Sequence, residues 1–148
     1  MSGMDLRDVD LTSAPAEHLA SLAYSVTGYV YIDNVSGCGL VTILDSVNSK
    51  ELEISNQSLG SEETQALVRA MESRVEQVGL DFKVTLDIRD LMEYNGQGKC
   101  REVWCDSDTA DRYKEQLRTW ATSRNWEVTP DLDDSFLCCY RRRHGDFY

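Results

Sequence analysis

The sequence lacks an apolar run long enough to cross a bilayer, which takes about 20 residues, and residues 1–8 lack the apolar segment of a secretion signal. Its five cysteines form an odd number without the regular spacing of a disulfide framework. Unpaired cysteines of this kind favour a reducing compartment. We therefore expect a cytoplasmic protein without a membrane partner.

Basic residues are also scarce, since 15 Lys and Arg stand against 26 Asp and Glu, for a formal charge of −11. A surface this acidic repels phosphate backbones, so we expect no nucleic-acid partner. The 148 residues are enough for one domain. A chain of about this length buries roughly 68–70% of its unfolded surface, so it folds without disulfides or metal.

A short strand-like segment recurs along the chain and alternates with helix-like segments. Each strand-like segment has two apolar residues two positions apart, and the segments are residues 9–11, 30–32, 52–54, 78–80, 103–105 and 126–128. Apolar residues three and four apart predict helices over 15–26, 40–47, 62–75, 88–94 and 109–124. Such alternation predicts an α/β fold with parallel strands and helical crossovers. The repeat of about 24 residues is typical of a solenoid.

The third unit has the most specific motif. Its residues Leu52-Glu-Ile-Ser-Asn-Gln-Ser-Leu59 and the following helical stretch resemble a leucine-rich repeat of the ribonuclease-inhibitor type, L-x-L-x-x-(N/Q)-x-L. This resemblance implies a short leucine-rich-repeat-like solenoid. Residues 61–72 and 117–128 are similar to the repeat tails of NLR-type innate-immune proteins of invertebrate chordates. That second resemblance implies an adaptor or sensor role in innate immunity.

The two ends of the chain differ from this pattern. Residues 130–135 are of the types that favour turns, and residues 136–142 have the pattern of a strand. This strand is predicted to form an antiparallel hairpin with residues 126–129, and the hairpin is expected to cap the solenoid. At the other end, residues 6–11 are expected to form the edge strand. We expect a single domain over residues 1–140, followed by a basic, mobile tail over 141–148.

The residues beside each inward apolar pair point to the other sheet face, which lines the concave side of a solenoid. Of 18 such positions nine are Asp or Glu and none is Lys or Arg. The candidate partner-binding residues are Tyr31, Asp33, Glu51, Glu53, Asp81, Glu102, Trp104, Asp106 and Glu127. Trp104 is the expected aromatic anchor, whereas Trp120 and Trp126 are predicted to lie in the core.

Three interpretations of this acidic face remain open. It binds a basic segment of a protein partner, or it only keeps an acidic protein soluble, or it receives the chain's own arginines 141–143. A homodimer is also plausible, because short solenoids leave apolar surface uncovered.

The sequence offers little for catalysis. His18 and His144 are poorly placed for acid–base chemistry, and residues 95–99 lack the spacing of a phosphate-binding loop. We expect a non-enzymatic protein-interaction module with no catalytic residue, cofactor or metal ligand. The alternative is an enzyme or a divalent-metal-binding protein that uses clustered Asp and Glu; a rise in melting temperature with Mg²⁺, Mn²⁺ or Ca²⁺ would detect it.

Overall fold

Strands and helices alternate along the computed structural model, which describes residues 2–130 and 137–142. The strands are β1 (Gly3–Arg7), β2 (Tyr29–Asp33), β3 (Glu51–Ser55), β4 (Gln57–Ser58), β5 (Gln77–Leu80), β6 (Val84–Thr85), β7 (Glu102–Asp106), β8 (Trp126–Pro130) and β9 (Leu137–Arg142). The helices are α1 (Ala16–Ser25), α2 (Gly39–Ser46), α3 (Ser61–Ser73), α4 (Ile88–Leu91), α5 (Ser107–Arg112) and α6 (Lys114–Ser123).

The main sheet has seven strands in the order β1-β2-β3-β5-β7-β9-β8. Its first five strands are parallel neighbours in chain order, and β9 runs antiparallel to both β7 and β8. The predicted α/β class with a mostly parallel sheet is thus confirmed. Helices α1 to α4 also pack in chain order, each against the next, so they cover one face of the sheet.

The core lies between this helical layer and the sheet. The inward residues of the central strands, among them Ile32, Leu52, Ile54 and Leu80, are almost completely buried. They alternate with more exposed residues, as expected for a sheet with only one face packed. Period-two alternation in the strands therefore places one set of side chains under the helices and leaves the other set open.

A left-handed residue directly follows β1, β2 and β3, and another lies between β5 and β6. These residues are Asp8, Asn34, Asn56 and Lys83, all with φ between 50° and 55°, a region that Asp and Asn adopt more readily than most residues. Beyond the turns lies a second, shorter ladder in two separate parts, the pair of β4 with β6 and an isolated bridge between Asp10 and Ser36. The repeated unit is therefore strand, corner, short second strand and helix.

The buried side chain of Gln57 joins two of these units. Its Nε2 donates to the Val35 carbonyl oxygen at 2.6 Å, and its Oε1 accepts from the Val35 backbone N–H at 2.9 Å. Gln57 occupies the Asn or Gln position of the sequence motif. One amide side chain thus satisfies both backbone groups of a residue in the preceding unit.

The first strand lies earlier than the sequence predicted. Met4 and Leu6 take the inward positions opposite Val30 and Ile32, so the expected edge strand over residues 6–11 is wrong. Residues 4–6 and 9–11 have the same apolar alternation, so this pattern alone does not distinguish the two segments. The left-handed Asp8 ends β1 and directs residues 9–11 into the second ladder.

The C-terminal hairpin is confirmed as an antiparallel pair, but its position differs from the prediction. Strand β9 lies between β7 and β8, so residues 126–128 form the sheet edge instead of a sixth parallel strand next to β7. Arg141 and Arg142 belong to β9, which places the expected start of the tail inside the sheet. The hairpin turn, 131–136, and residues 143–148 lie outside the described residues.

The last predicted helix, over residues 109–124, is divided into α5 and α6 at Tyr113. The Tyr113 hydroxyl accepts from the Leu86 backbone N–H at 2.9 Å and donates to the Leu86 carbonyl oxygen at 3.3 Å. These bonds hold the break between the two helices against the preceding unit. In the described part of the chain, no helix is both long and apolar enough to span a membrane.

Candidate binding face

The sheet face opposite helices α1 to α4, here termed the outer face, contains most of the predicted partner-binding residues. Register across the strands places two rows of side chains side by side. The middle row is Asp5, Tyr31, Glu53, Gly79, Trp104 and Cys139, and the row beside it is Gly3, Tyr29, Glu51, Gln77, Glu102, Arg141 and Glu127. The structure thus brings Tyr31, Glu53 and Trp104 into one line.

Two arginines lie on this face, so the prediction of a face without cations is wrong. The Arg7 guanidinium lies 4.7 Å from the centroid of the Tyr31 ring and 3.8 Å from the Asp5 carboxylate. Arg7 was missed because the first strand was placed too late, at residues 9–11. Asp8 and Asp10 were two of the nine acidic positions predicted on this face, and the same shift removes both from it.

Arg141 is the second cation, and it separates two predicted site residues. In register it lies between Glu102 on β7 and Glu127 on β8, and its guanidinium is 3.3 Å from the Glu102 carboxylate. Arg141 is therefore a residue of strand β9 that pairs with a carboxylate of the acidic face. Strand order, which the sequence does not reveal, moves the exposed Glu127 away from Glu102 to the sheet edge.

Two further candidates have structural partners of their own. The Asp106 carboxylate accepts from the Thr109 backbone N–H at 2.9 Å and caps α5. The Asp33 carboxylate accepts from the Tyr31 hydroxyl at 3.4 Å. The carboxylates of Asp106 and Asp33 therefore have hydrogen-bond partners within the chain. The exposed Glu51 carboxylate has none among the described residues.

Glu53 and Asp81 form a pair of neighbouring carboxyl groups at the centre of the outer face, because Gly79 is opposite Glu53 in the sheet and Asp81 follows Gly79 by two residues. Partial burial raises the pKa of Glu53, and the neighbouring Asp81 carboxylate raises it further. Burial also raises the pKa of Asp81, while its hydrogen bond with Glu53 acts in the opposite direction. Glu53 is therefore the carboxyl that donates when the pair holds a proton. In the described residues, no Lys or Arg lies within 4.0 Å of either carboxyl.

Gly79 positions the Trp104 indole beside this pair. The indole lies across Gly79 on the neighbouring strand, where any Cβ would overlap the ring. Gly79 stands between Glu53 and Trp104 in the middle row, so the ring extends towards Glu53. A glycine inside a strand usually weakens it, and here it provides the space for an aromatic side chain from the next strand.

Removal of the Glu53 charge is expected to stabilise the fold at neutral pH. Both pKa values of the pair lie above their ordinary values, so ionisation is less favourable in the folded chain than in the unfolded one. The penalty is absent below the ordinary carboxyl pKa of about 4 and grows as the pH rises through the raised values. Glu53→Gln should therefore increase the free energy of unfolding at pH 7 by about 0.2–1 kcal/mol, but not at pH 3.5.

Urea unfolding at the two pH values measures this difference. The control is Glu93→Gln, which removes a carboxylate from an exposed position after α4 and should change stability little at either pH. If Glu53→Gln raised the free energy of unfolding equally at pH 3.5 and pH 7, ionisation of the carboxyl pair would not be what destabilises the parent chain.

The structure describes the side chains of Cys38, Cys100, Cys105 and Cys139. Burial raises the pKa of the Cys100 thiol to about 12 and that of the Cys139 thiol to about 11, so both are protonated and weakly reactive near neutral pH. Cys105 is also buried, and Cys38 is exposed. Over residues 2–130 and 137–142, no three His, Cys, Asp or Glu side chains are grouped to hold a metal ion.

Comparison with known proteins finds no matching family model, no matching curated protein and no matching solved structure. The molecule is a mixed α/β chain with a mostly parallel sheet, helices α1 to α4 on one face, and acidic and aromatic side chains on the other.

Proposed function

We propose that the chain is a protein-interaction module, a short leucine-rich-repeat-like solenoid whose outer face binds a basic segment of a partner protein. The observation that carries this proposal is the one-sided packing of helices α1 to α4. Among the described residues, no helix covers the row from Tyr31 to Trp104, and acidic side chains lie on both sides of it. The repeated left-handed corners and the Gln57 bond to the preceding unit support the leucine-rich-repeat reading.

The energetics of the outer face favour a basic partner. Acidic residues are disfavoured in strands, and like charges on neighbouring strands repel. The close approach of Glu53 and Asp81, without a nearby cation from the described residues, therefore costs stability in the free chain. A cationic segment would relieve that repulsion, and the aromatic rings of Tyr31 and Trp104 offer anchors beside it. A purely solubilising face would not need the carboxyls placed together.

The same charge pattern opposes a homodimer formed through this face, because two acidic faces repel each other. Homodimerisation would have to use another surface, such as the α1 side, where Leu22 and Tyr24 are exposed. A cytoplasmic adaptor or sensor role in innate immunity is part of the proposal, and its support is the sequence resemblance alone.

Charge reversal at the centre of the outer face tests this function. The double variant Glu53→Lys/Asp81→Lys should lose the basic partners that the parent chain captures in an affinity pull-down. Its melting temperature should be no lower than that of the parent, because the two lysines repel each other but are attracted by the surrounding carboxylates of Asp5, Glu51, Asp33 and Asp106. A matched double reversal at exposed helical positions, Glu17→Lys/Asp111→Lys, should retain those partners.

An unchanged partner set for Glu53→Lys/Asp81→Lys would refute binding through the outer face. Loss of the same partners from both double variants would show that overall charge, and not this face, governs capture. Repeating the capture at two salt concentrations should weaken parent binding at the higher one.

A further inference from the structure

On the basis of the proposed function, we propose that the outer face recognises an arginine side chain of its partner, held between the Trp104 ring and the carboxyls of Glu53 and Asp81. The chain already forms an arrangement of the same kind on this face with its own Arg7.

Arg7 supplies that internal example. Its guanidinium lies over the Tyr31 ring, 4.7 Å from the centroid, and close to the Asp5 carboxylate. Tyr31 and Trp104 lie in the same row of the sheet, with Glu53 and Gly79 between them. The outer face therefore already holds a guanidinium by a ring and a carboxylate together.

Trp104, Glu53 and Asp81 provide an aromatic ring and carboxyl groups at a second place on the outer face. The indole lies over Gly79, which separates Trp104 from Glu53 in the middle row, and Asp81, two residues after Gly79, is a diagonal neighbour of Glu53. In the described residues, the cation–ring contacts are those of Arg7 with Tyr31 and of Lys83 with Phe82, so the Trp104 ring has none. Its nearest arginine along the sheet, Arg141, is paired with Glu102.

The geometry favours arginine over lysine. A guanidinium is planar, so it stacks on an aromatic ring while its N–H groups donate to carboxylates in the same plane. Two adjacent carboxyls match the fork of donors, and indole is the best ring for a cation. An ammonium group can pair with one carboxylate, but it does not stack as a flat group.

The test compares two peptides of equal charge, acetyl-(Gly-Arg)3-Gly-amide and acetyl-(Gly-Lys)3-Gly-amide, by calorimetric titration of the full chain at low salt. We expect the arginine peptide to bind more tightly, by about threefold or more. Trp104→Leu should weaken the arginine peptide by about 3- to 30-fold, and it should abolish the preference between the peptides. Glu53→Gln/Asp81→Asn should weaken both peptides, whereas Glu17→Gln/Asp111→Asn should weaken neither substantially.

The outcomes separate this inference from the proposed function. Equal binding of the two peptides, unaffected by Trp104→Leu, overturns arginine recognition, while the charge-reversal pull-down still tests the outer face as a binding surface. Failure of the arginine peptide to bind at all also overturns the inference. A preference for arginine that survives both Trp104→Leu and Glu53→Gln/Asp81→Asn would place the guanidinium elsewhere. To keep a folding defect from imitating the result, each variant is checked for an unchanged far-UV spectrum and for a cooperative melting transition well above the temperature of the titration.

Discussion

Trp120→Ala is expected to lower the free energy of unfolding by about 3–5 kcal/mol, the usual cost of removing a large aromatic side chain from a core. Trp120 is 7% exposed. Its ring stacks on Tyr94 with centroids 5.9 Å apart and meets Trp126 edge-on at 4.8 Å. Its Nε1 also donates to the Tyr94 carbonyl oxygen at 2.7 Å, so the substitution removes apolar contacts and a buried hydrogen bond together.

This aromatic cluster joins the C-terminal hairpin to the preceding unit. The Trp126 Nε1 donates to the Gly96 carbonyl oxygen at 3.2 Å, and the Tyr94 hydroxyl donates to the Cys100 carbonyl oxygen at 2.7 Å. Loss of Trp120 is therefore expected to loosen β8 as well as α6. Chemical denaturation followed by circular dichroism measures the effect.

The matched control is Trp104→Ala, which makes the same substitution on the half-exposed outer face. It should cost clearly less stability than Trp120→Ala, because less apolar surface is buried there. Equal costs for the two variants would contradict the assignment of Trp120 to the core and of Trp104 to the binding face.

Gln57→Leu is expected to cost about 2–4 kcal/mol, although leucine is close to glutamine in size and more apolar. The substitution leaves the Val35 N–H and carbonyl groups without the partners that Gln57 provides. Each buried backbone group that loses its hydrogen bond costs about 1–3 kcal/mol. The loss therefore exceeds any gain from burying extra hydrocarbon.

Gln65→Leu is the control for this second variant, because Gln65 is exposed on α3 and most exposed substitutions change stability by less than about 0.5 kcal/mol. Both variants can be measured by urea unfolding under identical conditions. A Gln57→Leu chain as stable as its parent would show that the amide bridge does not hold the two units together.

The parts of the fold that follow from local patterns were predictable. Apolar spacing located α1, α2 and α3 within a few residues, and the alternation of strand and helix indicated parallel pairing. The motif over residues 52–59 also placed an amide where Gln57 links two units. These features depend on residues close together in the chain, which a sequence displays directly.

The errors arose where the choice depended on contacts distant in sequence. Residues 4–6 and 9–11 have the same alternation, and only pairing with β2 shows which segment is the strand. The antiparallel hairpin was visible from its turn residues, but the insertion of β9 between β7 and β8 was not. That insertion brings Arg141 to Glu102 and isolates Glu127, so it alters the candidate site directly.

Side-chain contacts within the site were equally hidden. The sequence placed Trp104 on the outer face correctly, but it could not show that the ring lies over Gly79. The proximity of the Glu53 and Asp81 carboxyl groups depends on a diagonal placement across neighbouring strands. Charge alone indicated an acidic face, whereas the structure identifies the carboxyl pair on which the proposal depends.

The most direct test of the outer face as a binding surface is a nuclear magnetic resonance titration of the full chain with acetyl-(Gly-Arg)3-Gly-amide. The largest shifts should fall on outward residues of the central strands, such as Tyr31, Glu53 and Gly79, and on the Trp104 indole N–H. Signals from helices α1 to α4 should shift little. Shifts concentrated on those helices, or no shifts at all, would contradict binding through the outer face.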